Sequence, residues 1–296
     1  RSGLEACQGV DMLLGGIGGL FIGTALAEKL GIRLLQAYYI PFTPTRAHAS
    51  FLLPKQPPRL GGGLNRFSHL VARQMMWQAF RGADRRVRRE VLDLPAPSLL
   101  GPYNSAHLHS SVLYGYSPSV IPKPPDWGDN IHVTGYWFLD EADDWTPPPA
   151  LTKFMEAGSP PIYVGFGSMS SRRPDETADL ILRALNRAGQ RAVILSGWGG
   201  MSRADMPDSV LMIESAPFSW LFPRMAAVVH HGGAGTTSAG LRAGVPSVVV
   251  PFFGDQPFWA QRVVDLGFGP APVSRKKLTV ERLARAVHEA VTDQGM

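Results

Sequence analysis

The sequence predicts an α/β protein built on parallel sheets, and three observations carry that reading. After residue 150, short runs that are apolar throughout alternate with stretches of helical periodicity, the pattern of strands covered on both faces by helices. A strand–helix–strand unit also stands near the start, at Met12–Leu14, Leu20–Leu30 and Arg33–Tyr39. Between them lies Asp140 to Pro149 (DEADDWTPPP). Its three consecutive prolines suit neither a helix interior nor a central strand and make a semi-rigid spacer.

The chain of 296 residues has room for two ordinary domains. The joint divides it into 1–146 and 147–296. In the second region Pro161–Phe166 reads as a buried strand and Pro174–Ala188 as a helix with proline in its first turn. Ala192–Leu195, Val210–Ile213, Ala226–Val229 and Ser247–Val250 read as further strands. Short helices are expected near Phe218–Pro223, Thr236–Ala243 and Gln256–Leu266. A final amphipathic helix spans Val280–Val291.

In the first region, Met12–Leu14 reads as a buried strand leading through a glycine turn into the Leu20–Leu30 helix. A proline-rich loop follows, then helical stretches at Leu64–Phe80 and Ala83–Leu92. Strand-like pieces recur at Ser111–Tyr116 and His132–Gly135. Three parallel strands at most are expected there, a poor stand-alone sheet, so this domain is expected to be incomplete at Arg1. The abrupt stop at Met296 likewise suggests a piece or ordered part of a longer molecule.

Bulk numbers narrow the function classes. Hydrophobic residues at 45% and charged residues at 18% describe a globular chain. The lone Cys7 cannot close an internal disulfide, so a reducing, cytoplasmic compartment is expected. A net charge of +5 favours anionic partners without choosing among them. The basic run Arg81 to Arg89 reads as a solvated face, with peripheral membrane contact left open. It lacks the aromatic interleaving of a nucleic-acid surface, so no nucleic-acid partner is expected. The uncharged run 12–27 is sixteen residues with five glycines, short of the roughly twenty predominantly apolar residues that a spanning helix needs.

The chemistry concentrates in Met225 to Gln256 (MAAVVHHGGAGTTSAGLRAGVPSVVVPFFGDQ). It reads as a strand, a glycine-rich turn and a helix opening at Thr236. Glycines allow close backbone approach. The unpaired N–H groups of a helix start, together with its dipole, favour an anion. His231 at the strand end and the hydroxyls of Thr236 and Thr237 can donate to phosphate oxygens. The next strand leads to Asp255 and Gln256, whose oxygens suit sugar hydroxyls. The bland alternative is that the glycines only turn the chain and that His230–His231 is a structural pair.

This segment strongly resembles the donor signature of the glycosyltransferase family 1 type, with the GT-B fold of two Rossmann-like domains. The bacterial sterol-glucosyltransferase-like UDP-sugar transferases are the nearest group. The resemblance continues in PFTPT (Pro41–Thr45), LYGYSP (Leu113–Pro118), GYW (Gly135–Trp137) and VGFGSM (Val164–Met169). It implies a partial acceptor-binding domain in 1–146 and a donor-binding domain in 147–296. It also implies that Ser168, His231, Gly233, Gly235 and Thr236 hold the donor diphosphate and that Asp255 and Gln256 contact the donor sugar. Trp198 and Phe218 border the nucleotide base by the same resemblance. Where plant members carry an acid for the ribose, this chain has Ala239, so that contact is not carried over.

The implied reaction is inverting, metal-independent transfer of a sugar, glucose by resemblance, from a UDP-sugar to a hydroxyl of a hydrophobic acceptor such as a sterol, lipid or phenolic compound. The UDP-sugar is a substrate, and no cofactor is expected. The family's usual base is a histidine after the first strand of the N-terminal domain, so the base is expected upstream of Arg1 and none is named here. The position matching the plant acid that supports it is Gly16. The pair His107 and His109 and the acidic cluster Asp140–Asp144 are set aside as metal sites. Gly165-x-Gly167 lacks the third glycine of a dinucleotide fingerprint. Tyr38–Phe42 and Tyr136–Phe138 could line an apolar pocket or fill a core. Two other readings stand beside transfer: a non-catalytic nucleotide-sugar-binding subunit that needs a partner, and, more weakly, a sugar-nucleotide epimerase.

Overall fold

A computed structural model describes residues 2–53, 61–103, 111–139, 145–167, 174–195, 206–293 and 295–296. The chain divides into two compact units, Arg1–Trp137 and Phe138–Met296.

In the first unit, helix α1 (Ser2–Ala6) precedes strand β1 (Met12–Gly15), helix α2 (Leu20–Leu30) and strand β2 (Arg33–Tyr38). Helix α3 (Gly62–Val87) follows, then strands β3 (Val112–Tyr114) and β4 (Ile131–Val133). The sheet is parallel, in the order β1-β2-β3-β4, with Leu14 beside Leu35, Ala37 beside Leu113 and Leu113 beside His132. Four strands therefore pair where three at most were expected. Helix α2 buries Leu20, Phe21, Gly23, Thr24, Ala25, Leu26 and Ala27, positions that fall all round the helix and mark it as a core element.

Two expectations fail for physical reasons. β1 is an edge strand, and Met12 and Leu14, read as buried, are exposed. An apolar run reports strand character but not which neighbours cover it. The two helical stretches after the loop are one helix, α3, which runs through Gly82 and ends in a π turn at Arg88–Leu92. A single glycine costs a helix only about 1 kcal/mol, and fully buried Trp77, packed 5.2 Å from the Phe21 ring, anchors the helix nearby. Within the basic run, Arg88 turns inward. Its Nη2 donates to Glu28 at 2.9 Å and its Nε to Asp84 at 3.0 Å.

Two of the segments that carried the resemblance hold one another in place. The Tyr114 hydroxyl accepts from the backbone N–H groups of Phe42 (3.2 Å) and Thr43 (2.7 Å), and donates to the Thr43 hydroxyl at 2.7 Å. Its ring stacks on Trp127 at 4.7 Å. Asp126 accepts from the Thr45 hydroxyl at 2.5 Å and from the Arg46 N–H at 2.8 Å. Tyr38, Ile40 and Phe42 are thus core, whereas Tyr39 and Trp137 are exposed.

The second unit opens with helix α4 (Pro149–Glu156), which starts directly on the triple proline. The missing N–H and fixed φ of proline suit a first helical turn, so the spacer is also a helix start. Strand β5 (Ile162–Gly165), helix α5 (Pro174–Ala188) and strands β6 (Ala192–Leu195) and β7 (Val210–Ile213) follow. Then come helix α6 (Phe218–Leu221), strand β8 (Ala227–His230), helix α7 (Ala234–Ala243) and strand β9 (Ser247–Val249). Helices α8 (Gln256–Asp265) and α9 (Val280–Thr292) complete it.

All five strands are parallel, in the order β7-β6-β5-β8-β9. The chain moves outward from β5 to β7 and then returns to the other side of β5, so the order reverses between β5 and β8. Ile181 and Leu185 of α5 meet Leu283 and Val287 of α9 on one face. On the other face Tyr163, Val193 and Val228 pack with Leu221 and Phe222. Among the described residues no helix is long and apolar enough to cross a membrane.

Leu283→Ala should cost about 2–5 kcal/mol of stability, the usual range for emptying a closed core site, read from the midpoint of a urea unfolding curve. A second expectation concerns acid. His230 ends β8 fully buried, and burial followed by the neighbouring His231 lowers its pKa to about 3. Below about 6.5 the unfolded chain takes up a proton that the folded chain refuses, so stability falls as pH falls from there toward 3. His69, lowered to about 4, acts in the same direction. In His230→Asn the loss should be shallower by on the order of 1 kcal/mol per pH unit between about 6 and 4, measured by unfolding titrations across that range.

Candidate functional site

β5 and β8 lie side by side with Gly165 opposite His230. Their carboxyl ends open at the point where the strand order reverses, the place where open parallel sheets take ligands. After β8 the backbone turns at Gly232 with φ of 88°. A Cβ there would sit 2.7 Å from Val249 Cγ1 and 3.1 Å from the Gln256 carbonyl oxygen. Only glycine takes that conformation in that space. The Gly232 N–H donates to His230 Nδ1 at 3.1 Å, so neutral His230 carries its proton on Nε2, which has no partner among the described residues.

Helix α7 opens at Ala234, two residues earlier than the sequence suggested. Its N-cap is Gly233, extended at φ −63° and ψ 144°, and no side chain caps it. The first N–H groups of the helix are therefore left for an external acceptor. Gly235 is exposed and Thr236 half-buried. Thr237 is not available for a ligand: its hydroxyl donates to the Gly233 carbonyl at 2.9 Å. Ser238 likewise donates to Gly235 at 2.7 Å.

The half-buried His231 leans over this turn. A Cβ on Gly233 would lie 2.5 Å from its Nε2, and one on Gly167 would lie 3.2 Å from its Cε1. The ring thus bridges the end of β5 and the start of α7. Its Nδ1 is buried and has no partner among the described residues. Burial lowers its pKa below the usual histidine range, so near neutral pH it is an uncharged ring able to donate one N–H.

Asp255 and Gln256 stand at the start of α8, and the Gln256 backbone comes up against Gly232. The two side chains differ in availability. Asp255 is half-buried, its Oδ2 accepts from Trp259 Nε1 at 3.0 Å, and burial raises its pKa. Gln256 is buried, and its Oε1 accepts from the N–H groups of Phe252 (2.7 Å) and Phe253 (3.2 Å). Its oxygen therefore latches the loop before α8 and does not face a ligand.

Phe218, at the start of α6, stacks on Phe222 at 4.3 Å and meets Tyr163 edge-on at 5.6 Å. It also lines a cavity of about 470 Å³ together with Pro217, Gly235, Ala239 and Arg242. One concavity thus joins the glycine turn to the Phe218 loop. The Arg242 guanidinium, over the Phe138 ring at 4.4 Å, also borders it. Sequence reasoning missed Arg242, although it falls one helical turn after Ala239 and two after Gly235 on the same face of α7. Ser168 and Trp198 lie outside the described residues, as do His107, His109 and Asp140–Asp144.

Residues 190–296 match the family described as erythromycin biosynthesis protein CIII-like, C-terminal domain. Over 275 residues the chain is 40% identical to the sterol 3-beta-glucosyltransferase UGT80A2 of Arabidopsis thaliana, covering 92% of this chain and 42% of that protein. A sterol 3-beta-glucosyltransferase of Cryptococcus neoformans is 38% identical over 320 residues, covering 99% of this chain and 20% of that protein. The chain thus spans less than half the length of these relatives. Among solved structures, the glycotransferase of kitacinnamycin superposes with a TM-score of 0.65 at 21% identity, covering 99% of this chain and 70% of that one. The chain is thus similar in sequence, over nearly its whole length, to sterol 3-beta-glucosyltransferases, and it shares the GT-B fold of the solved glycosyltransferases.

Proposed function

We propose that this protein transfers glucose from UDP-glucose to the hydroxyl of a hydrophobic alcohol, a sterol, with inversion at the anomeric carbon. The observation that carries the reading is the uncapped start of α7 beneath His231, at the strand-order reversal and on one cavity with Phe218. The names of the relatives support the sterol acceptor and the glucose.

In this reading 147–296 holds the donor and 1–146 contributes to the acceptor side. The diphosphate lies against the first N–H groups of α7, with the Thr236 hydroxyl and His231 donating to its oxygens. Uracil lies in the cavity beside Phe218 and the hexose near Asp255. The acceptor oxygen forms its bond to C1 from the side opposite the diphosphate. The C1–O bond to phosphate breaks, UDP departs with the electron pair, and the hydroxyl proton passes to a base. The leaving charge develops where fixed amide dipoles and a hydrogen-bond donor already point. That is the task a divalent metal performs in other sites, so the transfer is proposed to be metal-independent. Ser168 and Trp198 remain part of the proposal by resemblance, at the diphosphate and the base. Gln256 enters it through its amide nitrogen, because its oxygen holds the loop.

Transfer is tested with the protein in its full-length form, radiolabelled UDP-glucose and a panel of sterols. Label should move into a lipid-extractable β-glucoside, and it should do so with chelator present. Bound UDP-glucose without transfer to any sterol or other hydrophobic alcohol would leave only a binding module. The diphosphate contact is tested separately by calorimetry. His231→Ala should weaken UDP binding by about 1–3 kcal/mol, the size of a lost hydrogen bond to a charged group. Unchanged affinity would take His231 out of the site.

A further inference from the structure

Past the glycine turn, helix α7 carries a file of residues along the cavity that Phe218 borders. Gly235, Ala239 and Arg242 follow one another on one side of the helix, and all three line that cavity. Gly235 and Ala239 bring no polar side chain to it. Arg242 is the one charged residue among the described residues on its wall. The guanidinium lies 4.4 Å from the centroid of the Phe138 ring. No carboxylate among the described residues forms an ion pair with it. A cation that can only donate hydrogen bonds thus borders a cavity whose described wall holds no acid.

Phe218 gives the same cavity a fixed aromatic wall. It is held between Phe222, stacked at 4.3 Å, and Tyr163, edge-on at 5.6 Å. Tyr163 is itself buried, and its hydroxyl occupies the place that a Cβ on Gly165 would take. Distance along α7 then fixes which part of the donor each residue meets. At about 1.5 Å per residue, Ala239 stands about 6 Å beyond Gly235 and Arg242 about 10 Å beyond it. With the diphosphate on the first N–H groups of the helix, the ribose comes level with Ala239 and the base level with Arg242.

We infer that Arg242 selects the nucleobase: its guanidinium donates to the 4-carbonyl oxygen of uracil while the ring rests against Phe218. This rests on the donor-site reading above and adds to it the residue that sets nucleotide choice. The discrimination is one of donors and acceptors. Uracil presents an oxygen at that position, and cytosine, a ring of the same size, presents an amino group. A guanidinium facing the oxygen makes a charge-assisted hydrogen bond. Facing the amino group, it sets donor against donor and leaves both unpaired. Thymine carries the same oxygen as uracil, so Arg242 does not separate those two bases.

The test is calorimetry of the full-length protein with the diphosphates of uridine, cytidine and 2′-deoxyuridine. UDP should bind about tenfold more tightly than CDP. Arg242→Ala should weaken UDP, leave CDP nearly unchanged and so bring the two together. Arg242→Glu, which offers an acceptor to the cytosine amino group, should reverse their order. Arg242 is exposed, and unchanged circular dichroism and unfolding midpoints confirm that the variants fold. His231→Ala should weaken both nucleotides alike and keep their ratio. The inference is overturned by equal binding of UDP and CDP to the wild-type protein, or by a ratio that Arg242→Ala leaves unchanged. It is overturned equally if Arg242→Ala instead erases a preference for UDP over its 2′-deoxy form, which would set the guanidinium at the ribose. In each of these cases UDP binding that His231→Ala weakens keeps the donor-site reading in place, whereas failure of both UDP and CDP to bind removes that reading and the inference together.

Discussion

The reversal of strand order between β5 and β8 is the constraint on which the rest of the second unit depends. Because these neighbours are parallel and in register, with Gly165 level with His230, both chains leave the sheet at the same height. α5 follows β5 and packs on one face of the sheet, α7 follows β8 and packs on the other, and the two strand ends open side by side between them. A turn that enters this space must be compact. Gly232 meets that demand, with a positive φ and both Val249 and Gln256 where a side chain would lie. What is exposed at the sheet's end is therefore main chain, and main-chain N–H groups at a helix start are a fixed source of positive potential.

The adjacent histidines divide two kinds of work. His230 is sealed in the sheet and shapes the turn by accepting the Gly232 N–H. His231 leans out over the same turn with a ring nitrogen that no described residue engages. Burial keeps both rings toward the neutral form. No Lys or Arg stands within the turn itself, residues 230–237. Positive potential there comes from oriented dipoles, which need no reorganisation when charge develops nearby.

Much of this was legible in the sequence where periodicity and turn chemistry agree. The Leu20–Leu30 and Pro174–Ala188 helices were read with the boundaries they have, since glycine or proline marks an end of each. The glycine turn, its helix and the Asp255–Gln256 pair stood out because residue types at strand ends are few and chemically specific. The misses share a cause: they depend on which neighbours cover or engage a residue, near or far in sequence, and residue type alone does not say. Whether Met12 and Leu14 are covered depends on what pairs beside β1. Gly82 looks like a break until Trp77 is seen anchoring one continuous helix. Thr237 looks like a donor until its own helix claims the hydroxyl. Arg242 is inconspicuous until Phe138 and the cavity are placed around it.

The latch formed by Gln256 bears on any attempt to re-tune this site by exchanging that side chain. Its carbonyl oxygen holds two consecutive amides of the segment leading into α8, so the residue is a joint of the scaffold before it is a recognition element. Gln256→Glu would keep an acceptor for both amides while exchanging the side-chain nitrogen for a carboxyl oxygen, which brings an ionisable group into a buried place. A replacement without an acceptor at that reach would free Phe252 and Phe253 and let the entrance of α8 drift. An altered appetite for one hexose over another would then report on loop position, and a change of sugar preference at this site would have to be decoded as a change of backbone shape.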